Sequence, residues 1–149
     1  MSTGVEMVSN WSCLEVYSVG TRILSSLITL WGNFMNAITR EVLQSLSITG
    51  NYRGFLYTVI ACELIYDNET KLHNVTQDIY CEIAEICGCR VHTVERNIRT
   101  IIFHAWREQR ERLCEIAGVT LTAPPSVSEF LSIISNYVRF KIQPYATRK

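Results

Sequence analysis

The stretch CGCRVHTVERNIRTIIFHAW, Cys87 to Trp106, decides how this chain is read. It carries Arg90, Arg96 and Arg99, with Arg107 directly after it, in a protein of 149 residues whose formal charge is zero. On a helical wheel of about 100° per residue, Val94, Ile98, Ile101 and Ala105 fall in one narrow sector and are expected to face a core. His92, Thr93, Arg96, Arg99 and Thr100 lie opposite, with Glu95 and Asn97 on the flanks. The polar groups therefore gather on the outward face of the first turns. Those side-chain types suit the major groove of duplex DNA. Arg bonds guanine O6 and N7 together, Asn pairs with adenine, and Glu accepts from the cytosine amino group.

The residues just before this helix sharpen the reading. Asp78–Cys87 has helical periodicity, and Gly88 stops it, because glycine enters a left-handed turn without strain. A short helix, a tight glycine turn and a second helix with a polar N-terminal face form a helix-turn-helix pattern. Ala84, Gly88 and Val94 have the matching spacing. The small residue lets two backbones approach, and the branched one anchors the second helix.

Charge is segregated along the chain. From Arg90 to Arg112 there are six arginines against three glutamates, whereas Cys62–Cys89 holds six carboxylates against one lysine. A basic helix inside a neutral protein is compatible with nucleic-acid binding, since placement counts more than the total. The chain is long enough for one domain with a real core. Its apolar run Ile23–Phe34 falls short of the roughly 18 uninterrupted residues of a membrane span, and no membrane partner is expected. No basic residue precedes Arg22, where a secretory signal starts with positive charge. A cytoplasmic protein is expected. The six cysteines (Cys13, Cys62, Cys81, Cys87, Cys89 and Cys114) are irregularly spaced and mostly sit among apolar residues, as reduced core thiols do.

Elsewhere the periodicity predicts further helices. Residues 1–20 show no period and read as an arm. Ile23, Leu24, Leu27, Ile28 and Trp31 mark an amphipathic helix, either a dimer seam or a lid, with Gly32-Asn33 as a break before a helix over 36–46. Arg53–Tyr66 is nearly all apolar and should be central. Thr76 is the expected cap of a helix over 77–87. The basic helix is expected from Val91 to about Arg112, its groove-reading part over 91–107. Ala123-Pro124-Pro125 breaks the chain before a last helix capped by Ser126 or Ser128 and ended by Pro144, which leaves a basic tail over 144–149. No strand alternation occurs. The prediction is an all-α fold of six to seven helices in a single compact domain over 36–143, with a helix-turn-helix and no winged strand, behind an N-terminal arm over 1–35.

Several short motifs then occur in order: RGFLY (Arg53–Tyr57), IY (Ile65–Tyr66), VERNIR (Val94–Arg99), HAW (His104–Trp106) and SEF (Ser128–Phe130). Their spacing resembles the C-terminal DNA-binding effector domain of the sporulation response regulator, the stage zero sporulation protein A family. The resemblance runs from about Ile38 to Phe140. It implies a six-helix domain that binds duplex DNA as a transcription regulator, as tandem copies or a homodimer, with RNA polymerase or a sigma factor as further partners. It also implies that Glu95 and Arg96 read bases, and that Arg99 sits at a basic position of the motif. The chain departs from the family pattern at His92-Thr93, where Ser-Arg is usual, at Asn97 in place of Ala, and at Phe103 where a polar residue is usual. In the family a receiver domain precedes the effector. The residues ahead of the resemblance lack the acidic cluster of a phosphoacceptor site, so a receiver switch in cis is not expected.

The candidate interface is thus Glu95, Arg96, Asn97, His92 and Thr93 toward bases. Arg90, Arg99, Thr100 and Arg107 lie toward phosphates, with Lys141 and Arg148 and, more weakly, Arg53 and Lys71. Cys81, Cys87, Cys89 and His92 do not follow a usual zinc spacing, and no metal or cofactor is expected. His73, His92 and His104 are scattered and no nucleophile motif appears, so no enzyme is expected. The rival function is a protein-interaction module that keeps the fold and modulates a related transcription factor without reading DNA.

Overall fold

The computed structural model describes residues 11–146. Its elements are α1 (Trp11–Ser45), α2 (Arg53–Asp67), a 3-10 helix (Glu69–Asn74), a π-helical turn (Thr76–Tyr80), α3 (Cys81–Cys87), α4 (Val91–Glu108), α5 (Arg110–Ala117) and α6 (Val127–Ala146). No strand occurs among the described residues. The protein is all-α, as expected. It divides into two compact units, Met1–Phe34 and Met35–Lys149. In the first unit Leu27, Ile28, Leu30 and Trp31 are exposed.

Five sequence expectations are corrected. Gly32-Asn33 does not break the first helix, and residues 11–20 are helical rather than an arm: α1 is continuous over 35 residues. One glycine costs a helix only about 1 kcal/mol relative to alanine, too little to interrupt so long a run. Thr76 is not the cap of the following helix. The Gln77 N–H is met instead by the Asn74 Oδ1 at 3.3 Å, and a π-helical turn leads into α3. The basic helix ends at Glu108, because Gln109 leaves helical geometry (φ −136°, ψ 45°) and starts α5 anew. Finally, α6 continues through Pro144 to Ala146. Proline removes one donor, and so near a helix end little ladder remains to be lost. Residues 1–10 of the expected arm, and Arg148 with the end of the basic tail, lie outside the described residues.

The core of the second unit is built around α2, which packs most extensively on α4 and next on α6 and the 3-10 helix alike. Phe55, Val59, Ala61, Cys62 and Ile65 supply its buried side. They meet Val94, Ile98, Ile101, Ile102 and Ala105 of α4 and Phe130, Leu131, Ile134 and Val138 of α6 in one cluster. The contact of α2 with α4 is closest at Gly54, where an added Cβ would lie 2.8 Å from Ile101 Cγ2 and would overlap the Asn97 carbonyl oxygen. Glycine is what permits this approach. Of the two proposed caps of α6, Ser126 serves. Its hydroxyl accepts from the Glu129 N–H at 3.2 Å and donates back to the Glu129 carboxylate at 3.1 Å, a side-chain variation on the capping box. Cys62, Cys81, Cys87, Cys89 and Cys114 are free thiols, and only Cys62 is fully buried.

Candidate nucleic-acid interface

The turn between α3 and α4 forms as the sequence predicts. Gly88 takes the left-handed conformation (φ 66°, ψ 39°). The Cys89 N–H reaches back to the Ala84 carbonyl at 2.9 Å, the closure of a Schellman-type helix end. Ala84 and Val94 are buried on the two sides of this turn. Arg90 is extended (φ −90°, ψ 152°) and starts α4 without a side-chain cap. The first N–H groups of α4 therefore have no side-chain cap, at a helix end whose dipole favours an anion.

Along α4 the predicted division of faces is present except at Thr93, expected on the outward face but half-buried on the flank. Val94, Ile98, Ile101 and Ala105 are buried, and Ile102 joins them. His92, Glu95, Arg96, Arg99, Thr100 and Phe103 line one shallow surface depression of about 480 Å³. Within it the charged side chains differ in commitment. Arg99 is held by Glu95, one turn earlier, with Nη2 and Nε donating to the same carboxylate oxygen at 2.8 and 3.1 Å. Arg96 is exposed, and its guanidinium has no ion-pair or hydrogen-bond partner among the described residues. Thr100 donates to the Arg96 carbonyl at 2.9 Å, which leaves its oxygen free to accept. The Tyr80 phenol, buried behind this face, is pushed up to about 12 by burial first and by the Glu95 carboxylate second, with Arg99 opposing.

The remaining candidates lie around this centre. Thr93 and Asn97 are half-buried on the flank, and the Asn97 amide donates to the Thr93 carbonyl at 2.7 Å. Arg90 is exposed at the start of the helix. Arg107 is exposed near its end, with Nε on the Glu108 carboxylate at 3.0 Å. Lys71 is committed to Glu82 at 2.7 Å. Arg53 and Lys141 are exposed, and Lys141 lies over the Tyr137 ring.

Two positioning residues escaped the sequence reading. Gly54 sets the distance between α2 and α4. A glycine within an apolar helical run is the signal for such an approach. His104, noticed only within HAW and as one of three scattered histidines, ties α4 to the turn after α1. Its Nε2–H donates to the Ser47 carbonyl at 3.0 Å, which leaves Nδ1 as the acceptor facing the Tyr52 hydroxyl at 3.4 Å. Gln109 reinforces the tether by donating to the Ser47 hydroxyl at 2.8 Å. Ser47 itself is left-handed (φ 63°), a conformation that costs a non-glycine residue free energy and is held here from outside.

A short helix closed by a left-handed glycine, then a long helix with a buried aliphatic stripe and a basic outer face, defines a helix-turn-helix effector domain. The family described as "Sporulation initiation factor Spo0A C terminal" matches residues 39–138, and the chain belongs to that family. The match starts in the last turns of α1 and ends within α6, so it takes in the whole helix-turn-helix. This is a family of DNA-binding, sporulation-related transcription regulator domains and not one of enzymes.

Proposed function

We propose that the protein regulates transcription by reading specific sequences in duplex DNA, with α4 in the major groove. Arg96 and Glu95 are the base readers in this reading, and His92, Thr93 and Asn97 tune the preference. Arg90, Arg99, Thr100 and Arg107 approach phosphates. The observation that carries the reading is Arg96: a guanidinium exposed on the outward face and without a partner among the described residues, directly opposite the buried stripe Val94, Ile98 and Ile101. Nothing in the packing of α4 needs a cation there, and a bidentate Arg–guanine contact does. Asn97 would first release the Thr93 carbonyl, so it ranks below Arg96. One copy makes few phosphate contacts, which favours two copies on repeated sites, and RNA polymerase or a sigma factor is the expected downstream partner.

The test is a series of gel shifts with random and selected duplexes at several salt concentrations. Arg96→Ala should cost about 1–3 kcal/mol on the selected site and relax selectivity at one base pair. If the protein selects no sequence and binding is indifferent to Arg96, the protein-interaction module takes its place.

A further inference from the structure

Phe103 is an unusual member of the outer face of α4. Its side chain is 56% exposed, although α4 otherwise turns its large aliphatic residues inward. Ending the helix early would have explained it, but α4 continues to Glu108. The ring shares its depression with His92, Glu95, Arg96, Arg99 and Thr100, every one of them polar or charged. A protein-docking surface presents contiguous apolar area at its centre. A single ring among hydrogen-bonding groups has a different complement, namely a base edge with one apolar group beside acceptors.

We infer that Phe103 is a specificity-determining residue that packs against the C5-methyl group of a thymine in the major groove. The inference rests on the DNA-reading function proposed above and adds to it one base of the site. Three observations support it. Arg96, Arg99, Thr100 and Phe103 stand at i, i+3, i+4 and i+7, the same spread over which the homeodomain recognition helix contacts DNA. Seven residues rise roughly 10 Å along the helix, within the width of about 12 Å of the major groove. Arg99 and Thr100, one turn before the ring and assigned to phosphates, border the same depression, so contacts to the adjoining backbone would hold the ring at the depth of the thymine methyl group. At about 3.4 Å per base step, the thymine lies within about three base pairs of the base read by Arg96.

The test uses the full chain on the duplex it selects from a random pool. Each thymine of that duplex is replaced in turn by deoxyuridine, which removes the methyl group and leaves every hydrogen-bonding atom. At one position the replacement should weaken the wild-type protein about fourfold, the size expected for one lost methyl-sized contact. Phe103→Ala should bind the thymine duplex about fourfold more weakly and be indifferent to deoxyuridine at that position alone. Phe103→Leu, which keeps an apolar side chain, should retain part of the methyl preference. The inference is overturned if no thymine methyl matters to the wild type, or if Phe103→Ala keeps the same sensitivity at every position. Either result leaves Arg96 as a base reader standing. Failure to select any sequence removes the DNA-reading function, and this inference with it.

Discussion

The backbone at Gly54 lies against the carbonyl of Asn97, so closely that a methyl group on residue 54 would overlap that oxygen and press on Ile101 Cγ2 at 2.8 Å. The position of the candidate reading helix therefore depends on a residue with no side chain. Gly54→Ala gains at most about 1 kcal/mol of helix propensity. It also meets a backbone obstacle that cannot rotate away, and overpacking of this kind costs about 1–3 kcal/mol or more. Net destabilisation of about 1–2 kcal/mol is expected in urea unfolding. DNA affinity should fall further than stability alone explains, because α4 must shift relative to α2.

Glu95 and Arg99 form an exposed pair one turn apart, with 37% and 60% of their side chains accessible. Such a pair contributes roughly 0.3–0.5 kcal/mol to a helix, so Glu95→Gln should leave stability nearly unchanged. Its effect on binding is larger. The substitution removes a negative charge from the groove face and releases Arg99 toward a phosphate. Non-specific affinity should rise, discrimination among duplexes should drop, and the slope of log K against log salt should steepen by about one. The salt series measures all three. A fall in non-specific affinity would mean that Arg99 needs Glu95 to hold it in place.

His104 donates to the carbonyl of Ser47, a left-handed residue held from one side by His104 of α4 and by Gln109 at the junction with α5. His104→Ala leaves that carbonyl without its partner and removes the ring packed beside Tyr52 at 5.0 Å. A loss of about 1–3 kcal/mol follows, read as a lower urea midpoint. His104→Gln keeps an amide donor of similar reach and should recover part of it. Equal losses for the two variants would show that ring packing, not the hydrogen bond, carries the tether.

The helix-turn-helix was legible because its two strongest signals are local. The recurrence of Val94, Ile98, Ile101 and Ala105 needs only helical geometry, and Gly88 needs only its backbone freedom. The motif VERNIR then made the family readable from a few residues. Tertiary features were not legible. The contact of Gly54 with Asn97 joins residues far apart in sequence, and the strain at Ser47 is held by His104 and Gln109 from across the fold. The end of α4 was missed because Gln109 is neither Gly nor Pro, so no breaker marks the bend. The pairing of Glu95 with Arg99 was implicit in their four-residue spacing. That Arg96 has no partner beside them among the described residues needed coordinates.

The buried thiol of Cys62 gives the fold a dependence on alkaline pH. Burial pushes it from 9.0 up to about 12, with a hydrogen bond from Tyr66 pulling slightly the other way. Burial likewise raises Tyr66, whose hydroxyl is within 3.0 Å of the Thr39 Oγ1, and lifts Tyr80 from 10.0 to about 12. In each case the folded protein holds its proton at a pH where the unfolded chain has released it. The stability these groups contribute is fully present below pH 9 and is lost as pH rises from there toward about 12. Urea midpoints should therefore be level up to about pH 8.5 and then decline, by on the order of 2–4 kcal/mol at the alkaline end. Cys62→Ala should blunt the first part of that decline while lowering stability modestly at neutral pH, since it removes buried volume. The same burial makes Cys62 inert in the native state. An alkylating reagent at neutral pH should label it only at the rate of unfolding, whereas the half-buried Cys87 and Cys89 react from the folded protein. Rapid labelling of Cys62 in the native protein would mean that α2 opens to solvent far more readily than its packing against α4 and α6 implies.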